Sequence, residues 1–197
     1  SSTPLWIYTT GGDVHSVSIS ADGEYIVAGS YDNKVYLFDK DSSTPLWSHD
    51  TQGDILSVDI SADGQYIVAG STTHYVYLFD KDDNGGYLWA HATEGNVFSV
   101  SISVNGEYIT GSSGSKVYLW SKDSSTPLWS HTTGDYVNSI AISADSEYIT
   151  AGSDDDKVYL FNNDEVDADD PEFDFRFDYP TDGTGNIDTN NTLDLKV

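Results

Sequence analysis

The chain has 197 residues, of which 38% are hydrophobic, and its formal net charge is −25, from 33 acidic and eight basic side chains. So negative a surface repels phosphate backbones, which argues against nucleic-acid binding. The absence of cysteine excludes disulfides and thiolate metal sites, and no stretch approaches the roughly 18 consecutive apolar residues of a membrane span.

Two aromatic motifs recur every 40 to 42 residues through most of the chain. A Leu-Trp pair heads each copy, and Val-Tyr-Leu plus an aromatic residue lies about 32 residues later. The heading residues are Trp6, Trp47, Trp89 and Trp129, and the later aromatics are Phe38, Phe79, Trp120 and Phe161. A period near 40 is typical of repeated supersecondary units.

Each repeat predicts four short strands. In the first copy they are 4–8, 14–20, 25–30 and 34–39, all rich in β-branched and aromatic residues. Asp-Gly or Asn-Gly joins the second and third of these runs in three copies, as a tight hairpin requires. The fourth copy has Ser146 in place of that glycine, so its hairpin should be the least stable of the four.

The stretch 16–30 resembles the two inner strands of WD-repeat blades, and 35–48 is similar to the outer hairpin of pyrroloquinoline-quinone-type propellers. This resemblance covers residues 1–163 and implies an all-β propeller of four-stranded antiparallel blades. It also implies that the repeated Trp residues and the aromatics that end the Val-Tyr-Leu motifs dock between blades. The sequence departs from the WD pattern, since Gly12-Asp13 stands where Gly-His is expected and Phe38-Asp39 where Trp-Asp is expected. The hydrogen-bond tetrad of that family is therefore not assured.

The first strand-like run, 4–8, corresponds to an outermost strand. Counted from the innermost strand, the last unit ends after a third strand at Phe161 and lacks an outermost one. By the resemblance, the N-terminal strand completes the last blade and closes a four-bladed ring. We favour this single-chain ring. The alternative is that two chains build an eight-bladed ring by the same strand exchange.

Residues 164–197 lie outside the repeats and begin with an acidic linker. A strand with one aromatic face follows, because aromatic and polar residues alternate there with a period of two. The aromatic residues are Phe173, Phe175, Phe177 and Tyr179. This face either packs on its own propeller or docks on a neighbouring subunit, as in strand addition.

Three sets of polar residues are candidate sites. Carboxylates before the innermost strands should surround one channel mouth and suit Ca²⁺, and they are Asp13, Asp54 and Asp135, together with Asn96. Asp80, Asp82 and Asn84 follow the opening of a Ca²⁺-binding loop, but its closing Glu is absent. Turn capping explains both sets more simply, so we expect no cofactor, with Ca²⁺ as the alternative. Asn190 heads an N-glycosylation tripeptide.

No catalytic set is evident, because Ser and His occupy repeated positions whereas catalysis needs one asymmetric locus. We therefore predict a non-enzymatic, structural propeller that self-assembles into an oligomer or filament. Its acidity favours a halophilic, extracellular or cell-surface setting, where salt screens self-repulsion. The alternative is a module that binds a ligand or another protein at its channel mouth or a face, and a third reading is a remnant of a quinone-type enzyme.

Overall fold

A computed structural model describes residues 2–163, which contain fifteen β-strands and no helix. Contacts within the chain divide it after Asn163. The predicted aromatic strand of residues 173–179 and Asn190 lie outside the described residues. The strands are β1 Val14–Ile19, β2 Tyr25–Ser30, β3 Lys34–Asp39, β4 Trp47–Asp50, β5 Ile55–Ile60, β6 Tyr66–Ser71, β7 Tyr75–Asp80, β8 Tyr87–Ala92, β9 Val97–Ile102, β10 Tyr108–Ser113, β11 Lys116–Ser121, β12 Trp129–Thr132, β13 Val137–Ile142, β14 Tyr148–Ser153 and β15 Lys157–Asn162.

The strands form four antiparallel sheets, one for each repeat, in which neighbours along the chain are also neighbours in the sheet. Blade 1 contains β1–β4, blade 2 β5–β8, blade 3 β9–β12 and blade 4 β13–β15. The all-β class and the propeller blades predicted from the sequence are confirmed.

The tight turns between the first and second strands form as their sequences predict. Gly23, Gly64 and Gly106 adopt positive φ angles of 74°, 71° and 74°, a region that glycine enters without steric cost. Ser146 is forced into the same region, with φ of 66°. The fourth hairpin therefore adopts the same turn as the others, although serine disfavours a positive φ.

The hydrophobic core lies between consecutive blades. In the first cluster, Val27, Val35 and Leu37 of blade 1 pack against Ile55 and other residues of blade 2. The same contact recurs between blades 2 and 3 and between blades 3 and 4. Each blade thus buries one sheet face against the innermost strand of the next.

The structure differs from the predicted ring closure. Blade 4 has three strands, and residues 4–8 belong to no sheet of the described residues. Trp6 packs on Phe38 of blade 1, as an outer-strand tryptophan of a preceding blade would, but its segment does not pair with β15. Because the innermost strand β1 remains exposed, the described residues form an open array of four blades.

Candidate functional site

The repeated tryptophans fasten each outer strand to the following blade. The ring of Trp47 lies 5.5 Å from that of Phe79, and its indole N–H donates to the carbonyl of Lys81 at 2.9 Å. Burial of the indole is thus accompanied by satisfaction of its one donor. The corresponding ring pairs are Trp6 with Phe38, Trp89 with Trp120 and Trp129 with Phe161, at 5.3, 6.1 and 5.2 Å.

A hydrogen bond from a backbone N–H group to a serine hydroxyl also recurs at the three interfaces between the described blades. The backbone N–H groups of Val58, Val100 and Ile140 donate to the hydroxyl oxygen of the serine at the matching position one blade earlier. These serines are Ser16, Ser57 and Ser99, at 3.1, 3.0 and 3.1 Å. The blade interface is therefore specified by polar as well as apolar contacts.

Asp59 connects three blades, a role that the sequence analysis missed. Its carboxylate accepts hydrogen bonds from Ser18 of blade 1 at 2.9 Å and from Ser101 of blade 3 at 3.1 Å. It also accepts the backbone N–H of Ile102 at 3.0 Å. The available signal was that Asp59 is the one charged residue at this repeat position, where the other copies carry serine or alanine.

A Tyr–Asp pair forms in the first and fourth repeats. The hydroxyl of Tyr159 donates to Asp155 at 2.5 Å and that of Tyr36 donates to Asp32 at 2.6 Å. The bond from Tyr159 is the main cause that lowers the pKa of Asp155 well below its usual range. Burial, reinforced by the Asp32 bond, raises the pKa of Tyr36. These pairs hold the turn before the third strand.

The acidic residues predicted at the channel mouth make main-chain contacts at Asp13 and Asp54 and a side-chain contact at Asp135. The carbonyl oxygens of Asp13 and Asp54 accept the backbone N–H groups of Tyr31 and Thr72, both at 2.9 Å. The carboxylate of Asp135 accepts the N–H of Tyr136 at 2.8 Å. Among residues 2–163 no three His, Asp or Glu side chains are grouped closely enough to hold a metal ion.

In the loop of Asp80, Asp82 and Asn84, both carboxylates accept hydrogen bonds from neighbouring side chains. Gln65 donates to both carboxylates, at 2.7 Å to Asp80 and 3.2 Å to Asp82. Lys81 donates to Asp82 at 2.5 Å, and this bond is the main cause that lowers the pKa of Asp82. The side-chain amide of Gln65 therefore stands between the two carboxylates, and Ca²⁺ binding by this loop stays a prediction.

The two ends of the blade array carry the most unusual surfaces of the described residues. At one end, Val14, Val17 and Ile19 of β1 are exposed, and we call them the leading face. Val17 is 65% exposed, whereas its counterpart Val58 in blade 2 is 5% exposed. The leading face therefore consists of core residues that lack a preceding blade in this structure.

At the opposite end of the array, core positions of blade 4 are also exposed. Val158 and Leu160 of β15, which we call the trailing face, are 80% and 70% exposed. Their counterparts in blade 3, Val117 and Leu119, are fully buried. Within the described part of the chain, β15 is also an edge strand, since it pairs with β14 alone. Such an edge leaves backbone donors and acceptors available.

Residues 4–8, which we call the arm, lie beside the leading face. Trp6 is anchored on blade 1 by its contact with Phe38 and by donation to the carbonyl of Lys40 at 2.7 Å. Leu5, in contrast, is 94% exposed. The arm is thus held at the place of an outer strand without belonging to a blade.

Comparison with known proteins identifies the repeats. Four segments match the family model described as WD domain, G-beta repeat, and they are residues 2–39, 42–80, 86–121 and 124–162. A search of curated proteins gives no match. The described residues contain no helix long and apolar enough to cross a membrane.

Proposed function

Because the chain belongs to the WD-repeat family, we propose that it is a non-enzymatic structural module that assembles with copies of itself. WD-repeat domains generally serve as scaffolds for protein–protein interaction. Among protein–protein interactions, the open array best supports association between copies of this chain.

The observation that carries this proposal is the exposure of core positions at both ends of the array. Val17, Val158 and Leu160 are large apolar side chains at positions that are buried in the interior blades. Burial of such a side chain contributes about 1.5–3 kcal/mol relative to full exposure. These side chains stay exposed in an isolated array. Covering them with a second protein surface would therefore favour association.

The segment of residues 173–179 is a second assembly element within the proposal. Its aromatic and polar residues alternate with a period of two, and a strand of that pattern would present one apolar face suited to docking on an exposed sheet edge of a neighbouring subunit. We further propose an extracellular or cell-surface location, supported by the charge of −25, because concentrated salt screens the repulsion within so acidic a chain.

The test is a mass measurement in solution on three full-length proteins. They are the unaltered chain, a face variant with Val17→Asp, and a tail variant with Phe173, Phe175 and Phe177 replaced by serine. We expect the unaltered chain to exceed the mass of one copy and the Val17→Asp chain to fall towards it. Loss of assembly in the tail variant would identify the segment 173–179 as a docking strand. A single-copy mass for the unaltered chain over the whole concentration range would refute self-assembly.

Blade 2 supports a second candidate function, recognition of a ligand or another protein. A groove of about 360 Å³ beside its outer strand is lined by Tyr75, Tyr77 and Tyr87 together with Asp50 and polar neighbours. Lysine and proline stand at the positions of Tyr75 and Tyr87 in the other repeats. This aromatic asymmetry is typical of a binding surface. Chemical-shift changes confined to these tyrosines on titration with a ligand library would favour this function.

A further inference from the structure

We infer that two copies of this chain close an eight-bladed ring, in which the arm of each copy becomes the fourth strand of blade 4 in the other. This inference rests on the proposed self-assembly and specifies its partner, its surfaces and its strand register. It follows from the agreement between the interior blade junctions and the two open ends.

The arm already occupies the position of an outer strand relative to the blade that follows it. Trp6 contacts Phe38 at 5.3 Å and donates to the carbonyl of Lys40. Trp47 in β4 makes the equivalent contacts with Phe79 at 5.5 Å and with the carbonyl of Lys81. The arm therefore lacks only a third strand on its other side, and the edge strand β15 has the matching sequence.

The register of this strand pair is set by the repeats. In blade 3, Leu119 pairs with Trp129 and Lys116 pairs with Thr132, and blade 1 has the same register. Transfer to the open ends pairs Trp6 of one copy with Leu160 of the other. By the same register, Thr9 faces Lys157.

The blade faces match in the same way. Val58 and Ile55 of β5 cover Val35 and Leu37 of the preceding blade. At the junction between copies, the leading face would cover the trailing face with the same geometry. Ser139 of blade 4 stands at the position of Ser16, Ser57 and Ser99, so it would accept the backbone N–H of Val17 from the other copy. The new junction therefore repeats both the apolar and the polar contacts of the interior junctions.

The number of copies follows from the number of blades. Known propellers close with roughly four to eight blades, so one copy or two copies of this chain fit that range and three exceed it. Closure within one copy would bury Val17 and Leu160, which are 65% and 70% exposed. Two copies related by a two-fold axis bury both ends and close the ring.

Cysteine cross-linking tests the register, since the chain has no native cysteine. In blade 1, the backbone N–H of Thr51 donates to the carbonyl of Asn33. Hydrogen-bonded and non-hydrogen-bonded pairs alternate along antiparallel strands, so the next pair, Lys34 and Asp50, is a non-hydrogen-bonded pair. Such pairs bring Cα atoms to about 4.5 Å, within the range of a disulfide. The equivalent pair at the junction is Thr9 and Lys157. The test protein is the full chain with Thr9→Cys and Lys157→Cys.

The matched control carries Thr9→Cys and Lys116→Cys. Lys116 is the blade 3 counterpart of Lys157, but its strand already pairs with β12. Under mild oxidation, we expect the test protein to run at twice the 21.5 kDa of one copy on a non-reducing gel, with both cysteines consumed. Reduction should return it to one copy, and the control should remain at one copy. Solution mass of the unaltered chain is measured in parallel.

Each other outcome overturns the inference in a recognisable way. A disulfide within one copy would show a closed four-bladed ring, and a ladder of higher multiples would show an open filament. A doubled solution mass without the cross-link would place assembly at another surface, so that the proposed function survives and the ring does not. A single-copy solution mass with no cross-link would refute both.

Discussion

Leu119 and Leu160 are a matched pair of side chains. Replacing each with alanine measures how much burial at that position contributes to the free energy of unfolding. They occupy the same position in blades 3 and 4, but Leu119 is fully buried and Leu160 is 70% exposed. Leu→Ala removes three carbon atoms, which amounts to about 2.4 kcal/mol of transfer free energy at a buried site. With the cavity included, Leu119→Ala should lower the free energy of unfolding by about 3 kcal/mol.

The expected cost of Leu160→Ala depends on whether the ring is closed. In a single copy about three tenths of the side chain is shielded, so the substitution should cost about 0.7 kcal/mol. In the closed ring Leu160 is covered by the leading face of the other copy, and the cost should rise to about 3 kcal/mol. The difference measures the burial of this side chain at the junction.

The assay is chemical unfolding at one fixed chain concentration, in two backgrounds. The native background allows the ring, and the Val17→Asp background places a charge in the junction and prevents it. We expect Leu160→Ala to cost about 2 kcal/mol more in the native background, a coupling of the size seen between contacting residues. Leu119→Ala should cost the same in both. Equal costs of Leu160→Ala in the two backgrounds would refute the proposed junction.

Three further predictions concern pH, salt and one turn. The folded pKa of Asp155 is lowered mainly by Tyr159, so the stability that this carboxylate contributes is complete above its unfolded pKa of about 4 and is lost as pH falls through the folded value. Tyr159→Phe should therefore lower the melting temperature at pH 7 and differ less from the native chain below pH ~3, whereas a constant offset would contradict this cause. The melting temperature should rise with NaCl up to about 1 M, because salt screens the net charge, and no rise beyond that given by an uncharged osmolyte would contradict the electrostatic reason. Ser146→Gly should raise the free energy of unfolding by about 0.5–1 kcal/mol in a denaturant titration, because Ser146 has a positive φ and a buried hydroxyl without a hydrogen-bond partner among the described residues. Gly23→Ser, where an added Cβ meets nothing within 4 Å, should have the opposite sign, and stabilisation by this control would contradict the argument.

The interior of each blade could be predicted because its determinants are local. Alternating β-branched residues and a fixed turn specify antiparallel hairpins within one repeat, so the strands and the positive φ at Gly23 were evident from the pattern. The docking of Trp47 on Phe79 followed from the resemblance to known repeats. Asp59 was missed because its partners lie on two other blades, and no local pattern specifies a contact at that range.

The sequence by itself determined the repeat unit, its strands, its turns and the chemistry of its faces, since these depend on residues close together in the chain. Only the tertiary structure decided that the array stays open, with Val17 exposed on blade 1 and Leu160 exposed on blade 4. The physical reason is that the arm has the same complementary strand whether its partner is its own last blade or that of another copy. The sequence encodes the pairing, and the packing of successive blades decides whether the two ends of one chain meet.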